Sequence, residues 1–93
     1  MTRFMIRVEL HNASEAQYIR LHELMAARGL FRIIVGDDNK KYWLPPAEYT
    51  TLSELTRDQV RGIAKACAAA VVTRYAVVVA EATAVTWEGL QAA

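Results

Sequence analysis

Residues 3–10, RFMIRVEL, decide the fold. Phe4, Ile6, Val8 and Leu10 alternate with Arg3, Met5, Arg7 and Glu9. Successive strand side chains point to opposite faces, so this alternation predicts a strand with one buried face. The rest of the chain must cover that apolar face or extend the sheet beside it.

Immediately downstream, Ser14 and Gln17 have the spacing of a capping box, and Tyr18, Leu21, Leu24 and Met25 recur on one helical face. Gly29 is placed to end the helix in the left-handed conformation, with Leu30 folding back on the last turn. Ile19 falls opposite Leu21 and is expected in solvent, with Arg20 and His22 on the flanks of the apolar stripe. Residues 31–35, FRIIV, read as a β-branched strand. Gly36-Asp37-Asp38-Asn39 supplies turn chemistry, and residues 40–44, KKYWL, form the return strand of a hairpin. Pro45-Pro46 ends it, and residues 47–55 read as a connecting loop with some extended character around Tyr49.

A second capping box, Thr56 with Gln59, opens a helix expected to run from about Arg57 to about Val72. Leu55 and Val60 are spaced as a hydrophobic staple. Val60, Ile63, Ala64, Cys67 and Val71 form the buried stripe, while Arg57, Arg61 and Lys65 line the wet face. Residues 75–80, YAVVVA, predict a central strand or one covered on both faces. Strand, helix, strand, strand, helix, strand is the order of an α+β, ferredoxin-like βαββαβ sandwich. That fold places two helices on one face of a four-stranded antiparallel sheet, with the first and third strands central. Residues 1–81 make this domain. Residues 82–93 are a tail, either an extra strand or a segment in which Val85, Trp87 and Leu90 pack on a second copy in a homodimer.

The totals narrow the function. The chain has 93 residues, 54% hydrophobic and 23% charged, with 11 Lys and Arg against 10 Asp and Glu. This is the composition of one ordinary globular domain, without the strong positive charge that by itself marks a nucleic-acid binder. The single cysteine, Cys67, allows no intrachain disulfide and fits a reducing compartment. No apolar run reaches the roughly 20 residues of a membrane helix, and the first residues lack signal-peptide organisation, so a cytoplasmic location is expected. No Gly-rich phosphate loop, Ser-His-Asp set or RNA-recognition aromatic pair is legible. No cofactor or metal site is expected.

Several segments together resemble a known family: VELHNAS at the end of the first strand, the helix YIRLHELMAARGLFR, the hairpin closed by KKYWLPPAEY, and the Ala-rich helix before RYAVVVAEA. They are similar to the GhoS-type antitoxins, small Cas2-like ferredoxin folds whose founding member is an endoribonuclease acting on the message of a membrane toxin. The resemblance spans about residues 2–81. It implies single-stranded RNA as a partner, with Arg20 matching the first of two basic residues on the first helix. The second of those positions holds His22. Glu9 falls where Cas2-like proteins often place an acid.

On this reading His22 and Glu9 are the catalytic candidates, since an imidazole near neutrality can carry a proton and RNA offers its own 2′-OH as nucleophile. Arg7, Arg20, Arg3 and Arg32 are the RNA-binding candidates. Arg3, Arg7 and, if register allows, Arg32 share the open sheet face. His11 with Asn12 sits at a strand-to-helix junction, Asp37 and Asp38 serve the turn, and Cys67 belongs to the core. The alternative is a non-catalytic dimeric module that binds a protein or small ligand through its sheet face.

Overall fold

The computed structural model describes residues 1–93 as a small α+β chain of two helices and antiparallel sheets. Strand β1 (Thr2–Leu10) buries Phe4, Ile6, Val8 and Leu10, as the alternation requires. Helix α1 (Glu15–Ala27) begins on the Ser14–Gln17 capping box, with both reciprocal hydrogen bonds made. At its other end Gly29 has φ +80°. Its N–H bonds the Ala26 carbonyl and that of Leu30 bonds Met25, the paired closure of a Schellman motif. Leu21 and Met25 are buried, and Ile19 is exposed.

Strand β2 (Ile33–Val35) and strand β3 (Lys41–Trp43) pair as a hairpin. Asp38 organises its turn, accepting hydrogen bonds from the Lys40 N–H and the Tyr42 hydroxyl, each at 2.9 Å. A Cβ at Gly36 would come within 2.8 Å of the Asp38 carboxylate, so a side chain there would push that carboxylate off its turn hydrogen bonds. After Pro45-Pro46 the chain reverses through a turn closed by Glu48 N–H to Pro45 C=O. Ala47 occupies φ +75° in that turn, where a type II geometry calls for positive φ.

The next segment departs from expectation. Residues 48–53, read as a loop, form strand β4 (Glu48–Ser53), which pairs with β1 along its whole length. The return strand 41–43 pairs only with β2, so it is not central. One four-stranded sheet is therefore replaced by a three-stranded sheet of order β4-β1-β5 beside the two-stranded β2-β3 hairpin. A single bridge between Phe31 and Thr50 links the two. The composition of β4 concealed it: EYTTLS lacks an apolar alternation. Its Thr50 is buried only because its hydroxyl is satisfied, donating to the Phe4 carbonyl at 2.9 Å and accepting from Arg3 Nη1 at 2.7 Å.

Helix α2 (Arg57–Ala69) starts on the Thr56–Gln59 capping box and stops short of Val72. It buries Val60, Ala64, Cys67 and Ala68, while Ile63 and Val71 are only partly buried against the core. Strand β5 (Tyr75–Ala82) pairs with β1 alone and is the sheet edge, not a central strand. Its odd-numbered residues Tyr75, Val77 and Val79 face the core, and Ala76, Val78 and Ala80 lie exposed on the open face. Beyond β5 the tail lies against its own hairpin. Trp87 packs on Tyr42 with ring centroids 5.6 Å apart, Trp43 N–H bonds the Gln91 carbonyl, and Ala93 N–H bonds Lys41. A single isolated bridge pairs Ala92 with Tyr42 at the outer side of β3. Trp87, one of the apolar tail residues that looked uncovered, thus has cover within the same chain.

Candidate functional site

Two surfaces collect the chemistry that the sequence singled out. The first is the open sheet face. Register places Leu52, Arg3 and Ala82 in one row, Thr50, Met5 and Ala80 in the next, and Glu48, Arg7 and Val78 in a third. Glu9 faces Ala76 beyond them. Arg7 is held by two carboxylates, Glu9 at 2.9 Å and Glu48 at 3.3 Å. The hydrogen bond and charge of Glu9, with a smaller contribution from Glu48, hold its guanidinium above the usual arginine range. Arg3 is engaged by the Thr50 hydroxyl. This face is neutralised within itself.

The second surface is a cleft of about 550 Å³ between α1 and the hairpin, lined by His22, Ala26, Leu30, Phe31, Arg32, Ile33, Lys41 and Trp43. Its volume falls within the roughly 300–1,000 Å³ of ordinary ligand sites. No carboxylate lines it. Arg32 does not share the open face with Arg3 and Arg7: Phe31 sits opposite Thr50 on that face, so alternation turns the next residue to the helix side. There Arg32 Nη2 donates to the Leu44 carbonyl at 2.9 Å, and its guanidinium lies over the Trp43 ring, 5.7 Å from the centroid. Its Nε is buried without a partner.

His22 enters the cleft from α1. Its Nδ1 lies 2.6 Å from the hydroxyl of Tyr49, a side chain that β4 buries completely. Burial pushes the Tyr49 phenol well above its usual range, so it keeps its proton. That proton has no other acceptor within reach, and the bond is satisfied when the phenol donates to Nδ1. The His22 proton is thereby assigned to Nε2, which makes no bond within the chain. Burial first, and the nearby positive charge of Arg32 second, hold His22 below its ordinary pKa, so the ring is neutral at pH 7.

The site residues read from the sequence are therefore divided. His22 and Arg32 come together in the cleft. Arg7 and Glu9 pair with each other on the far side of the sheet from His22. Arg20 sits on the exposed flank of α1, 3.6 Å from Glu23, and joins neither group. No cluster of three His, Cys, Asp or Glu residues is arranged to hold a metal ion. Cys67 is buried in the core, where burial raises its thiol pKa. Sequence reasoning missed Tyr49, because its segment looked like a loop. It also missed the joint placement of Lys41 and Trp43, the latter 41% exposed. The signal was present in the hairpin register: Ile33 faces Trp43 and Val35 faces Lys41, which puts positions 33, 35, 41 and 43 on one side. No protein-family model and no curated protein matches this chain.

Proposed function

We propose that this chain is a single-stranded RNA-binding protein of the GhoS type, and that RNA lies in the α1–hairpin cleft. One observation carries the reading: the exposed Trp43 ring shares a carboxylate-free cleft with Arg32, Lys41 and His22. Proteins bind single strands by stacking bases on aromatic rings while cations track the phosphates. The near-zero net charge is no obstacle when the cations are gathered locally. The fold is read as a ferredoxin-like βαββαβ unit in which β2 meets β4 through the Phe31–Thr50 bridge and β3 is an added hairpin arm. Cleavage would require His22 to surrender the Nε2 proton assignment that Tyr49 favours, so binding comes before catalysis in this reading. The test is fluorescence anisotropy of a labelled unstructured oligoribonucleotide with the wild-type chain and Trp43→Ala, followed by a gel of the same RNA for cleavage. Saturable binding that weakens with salt and with loss of Trp43 is expected. Equal binding by both proteins refutes the cleft as the RNA site.

A second reading has its own observation. Strand β5 has one partner strand and presents Ala76, Val78 and Ala80 outward, without the proline, lysine or bulge that usually guards an edge. This favours a non-catalytic homodimer joined through β5. Light scattering of the wild type against Val78→Lys tests it: a dimer that the lysine converts to monomer is expected, and a wild type that is monomeric throughout refutes it.

A further inference from the structure

We propose that the cleft is a pocket for a single nucleoside monophosphate, free or as the phosphorylated end of an RNA strand, with Tyr49 acting as the positioning residue for its phosphate donor His22. The proposal rests on the cleft being the RNA site and narrows it to one residue of RNA.

Two side chains of the cleft keep donors that no group of the chain accepts from. Arg32 spends Nη2 on the Leu44 carbonyl and leaves Nη1 without a bond in the chain. His22 spends Nδ1 on Tyr49 and leaves Nε2–H free. Lys41 brings an ammonium to the same lining. Three donors, two of them full cations, thus belong to one lining that holds no carboxylate. An internal phosphodiester offers one negative charge, whereas a phosphomonoester carries about 1.5 to 2 at neutral pH and presents three acceptor oxygens. The donor set therefore suits a terminal phosphate better than a chain-internal one. The guanidinium that would take the phosphate already lies over the Trp43 ring, so a base stacked on Trp43 and a phosphate on Arg32 are one ligand's length apart. The rest of the lining, Ala26, Leu30, Phe31 and Ile33, is apolar and offers a base faces but no edge-specific partners. Little discrimination among bases follows.

Tyr49 matters because a histidine can present either nitrogen as donor. A buried, permanently protonated phenol at 2.6 Å from Nδ1 selects the tautomer whose proton faces the cleft. The Tyr49→Phe change keeps the ring and its packing but removes this selection.

The experiment uses the full chain carrying Trp87→Phe, so that fluorescence reports Trp43. Uridine and adenosine 5′-monophosphates, the matching nucleosides and inorganic phosphate are titrated separately. The monophosphates should quench Trp43 saturably and bind at least about ten-fold tighter than the nucleosides. Phosphate alone should compete without quenching. Tyr49→Phe and Arg32→Lys should each bring the monophosphate down toward nucleoside affinity while leaving the nucleoside's own binding unchanged, a split that a general loss of structure does not produce. Oligoribonucleotides with and without a terminal phosphate then separate the two sources. Preference for the phosphorylated end assigns the pocket to RNA termini, and monophosphate binding with indifference to RNA assigns it to free nucleotides and refutes the RNA reading alone. Absence of quenching up to about 10 mM, or equal binding of monophosphate and nucleoside, overturns the pocket even where RNA itself binds.

Discussion

The open sheet face and the α1–hairpin cleft carry the same kind of residue in opposite circumstances. On the sheet, Arg7 stands between Glu9 and Glu48, and Arg3 is bonded to Thr50. In the cleft, Arg32 has one carbonyl partner, one aromatic ring and a buried Nε with nothing to bond. A guanidinium answered by carboxylates must give them up before it can hold a phosphate; one that faces only neutral groups does not. The difference shows why counting arginines along a chain misplaces a binding surface. What matters is the acid balance around each one after folding.

Substitutions on the two surfaces should have unequal effects. Trp43→Ala should have the largest effect, weakening oligoribonucleotide binding by about 1–3 kcal/mol, the usual worth of a base stacked on an aromatic ring. Anisotropy titration at fixed salt measures it, and a Met5→Ala control on the sheet face should leave binding unchanged. Next comes Arg32→Gln, which should lower affinity and flatten its dependence on salt by about one counterion, because the phosphate contact that released it is gone. Arg7→Gln should do much less to either quantity. If the two substitutions act equally, the distinction between the surfaces fails.

A smaller effect concerns stability. Tyr49→Phe removes one hydrogen bond between a fully buried phenol and the half-buried His22 ring and should cost about 0.5–1.5 kcal/mol in urea unfolding. It should also alter the titration of His22 seen by NMR. The sign of the pH dependence follows from the lowered His22 pKa. Between that value and the unfolded value of about 6.5, the unfolded chain binds more protons than the folded one. The His22 contribution is therefore fully present above about pH 6.5 and is lost as pH falls through the folded pKa, and His22→Gln should flatten that limb of the stability profile. A bound internal phosphodiester, whose charge does not change in this range, should oppose this trend by favouring the protonated ring, so binding of an oligoribonucleotide without a terminal phosphate should strengthen as the solution is acidified over the same range. The smallest effect should be that of Arg7→Gln on the melting midpoint, since exposed ion pairs contribute little.

Much of the scaffold was legible in the chain. Both helix starts followed from Ser14–Gln17 and Thr56–Gln59, because capping is a local hydrogen-bond exchange that neighbouring residues settle among themselves. The end of α1 followed from Gly29 for the same reason, and β1 from its alternation. The sheet order was not legible. Strand β4 is polar in composition and becomes a strand because β1 and Phe31 satisfy its backbone on either side. Strand β5 looks central because its outward residues are alanine and valine, yet only β1 lies beside it. The site divided along the same line. His22 was visible as a helix-flank residue, but its partner Tyr49 lies 27 positions away, in the misread segment. The face of Arg32 stayed open in the sequence, because its placement depends on a single bridge between sheets.

The pairing of β1 also governs how quickly this molecule acquires its shape. Its hydrogen-bond partners run from Tyr75, opposite Leu10, to Ala82, opposite Arg3, so the central strand has no sheet neighbour close to it in sequence on that side. Loops of that length must close before their contacts reward them, and chains dominated by such pairings fold in roughly milliseconds to seconds, not microseconds. The capped helices and the β2–β3 hairpin need only local contacts and can form first. The sheet then closes around them, and the cleft between α1 and the hairpin takes its final lining only when β4 brings Tyr49 under His22.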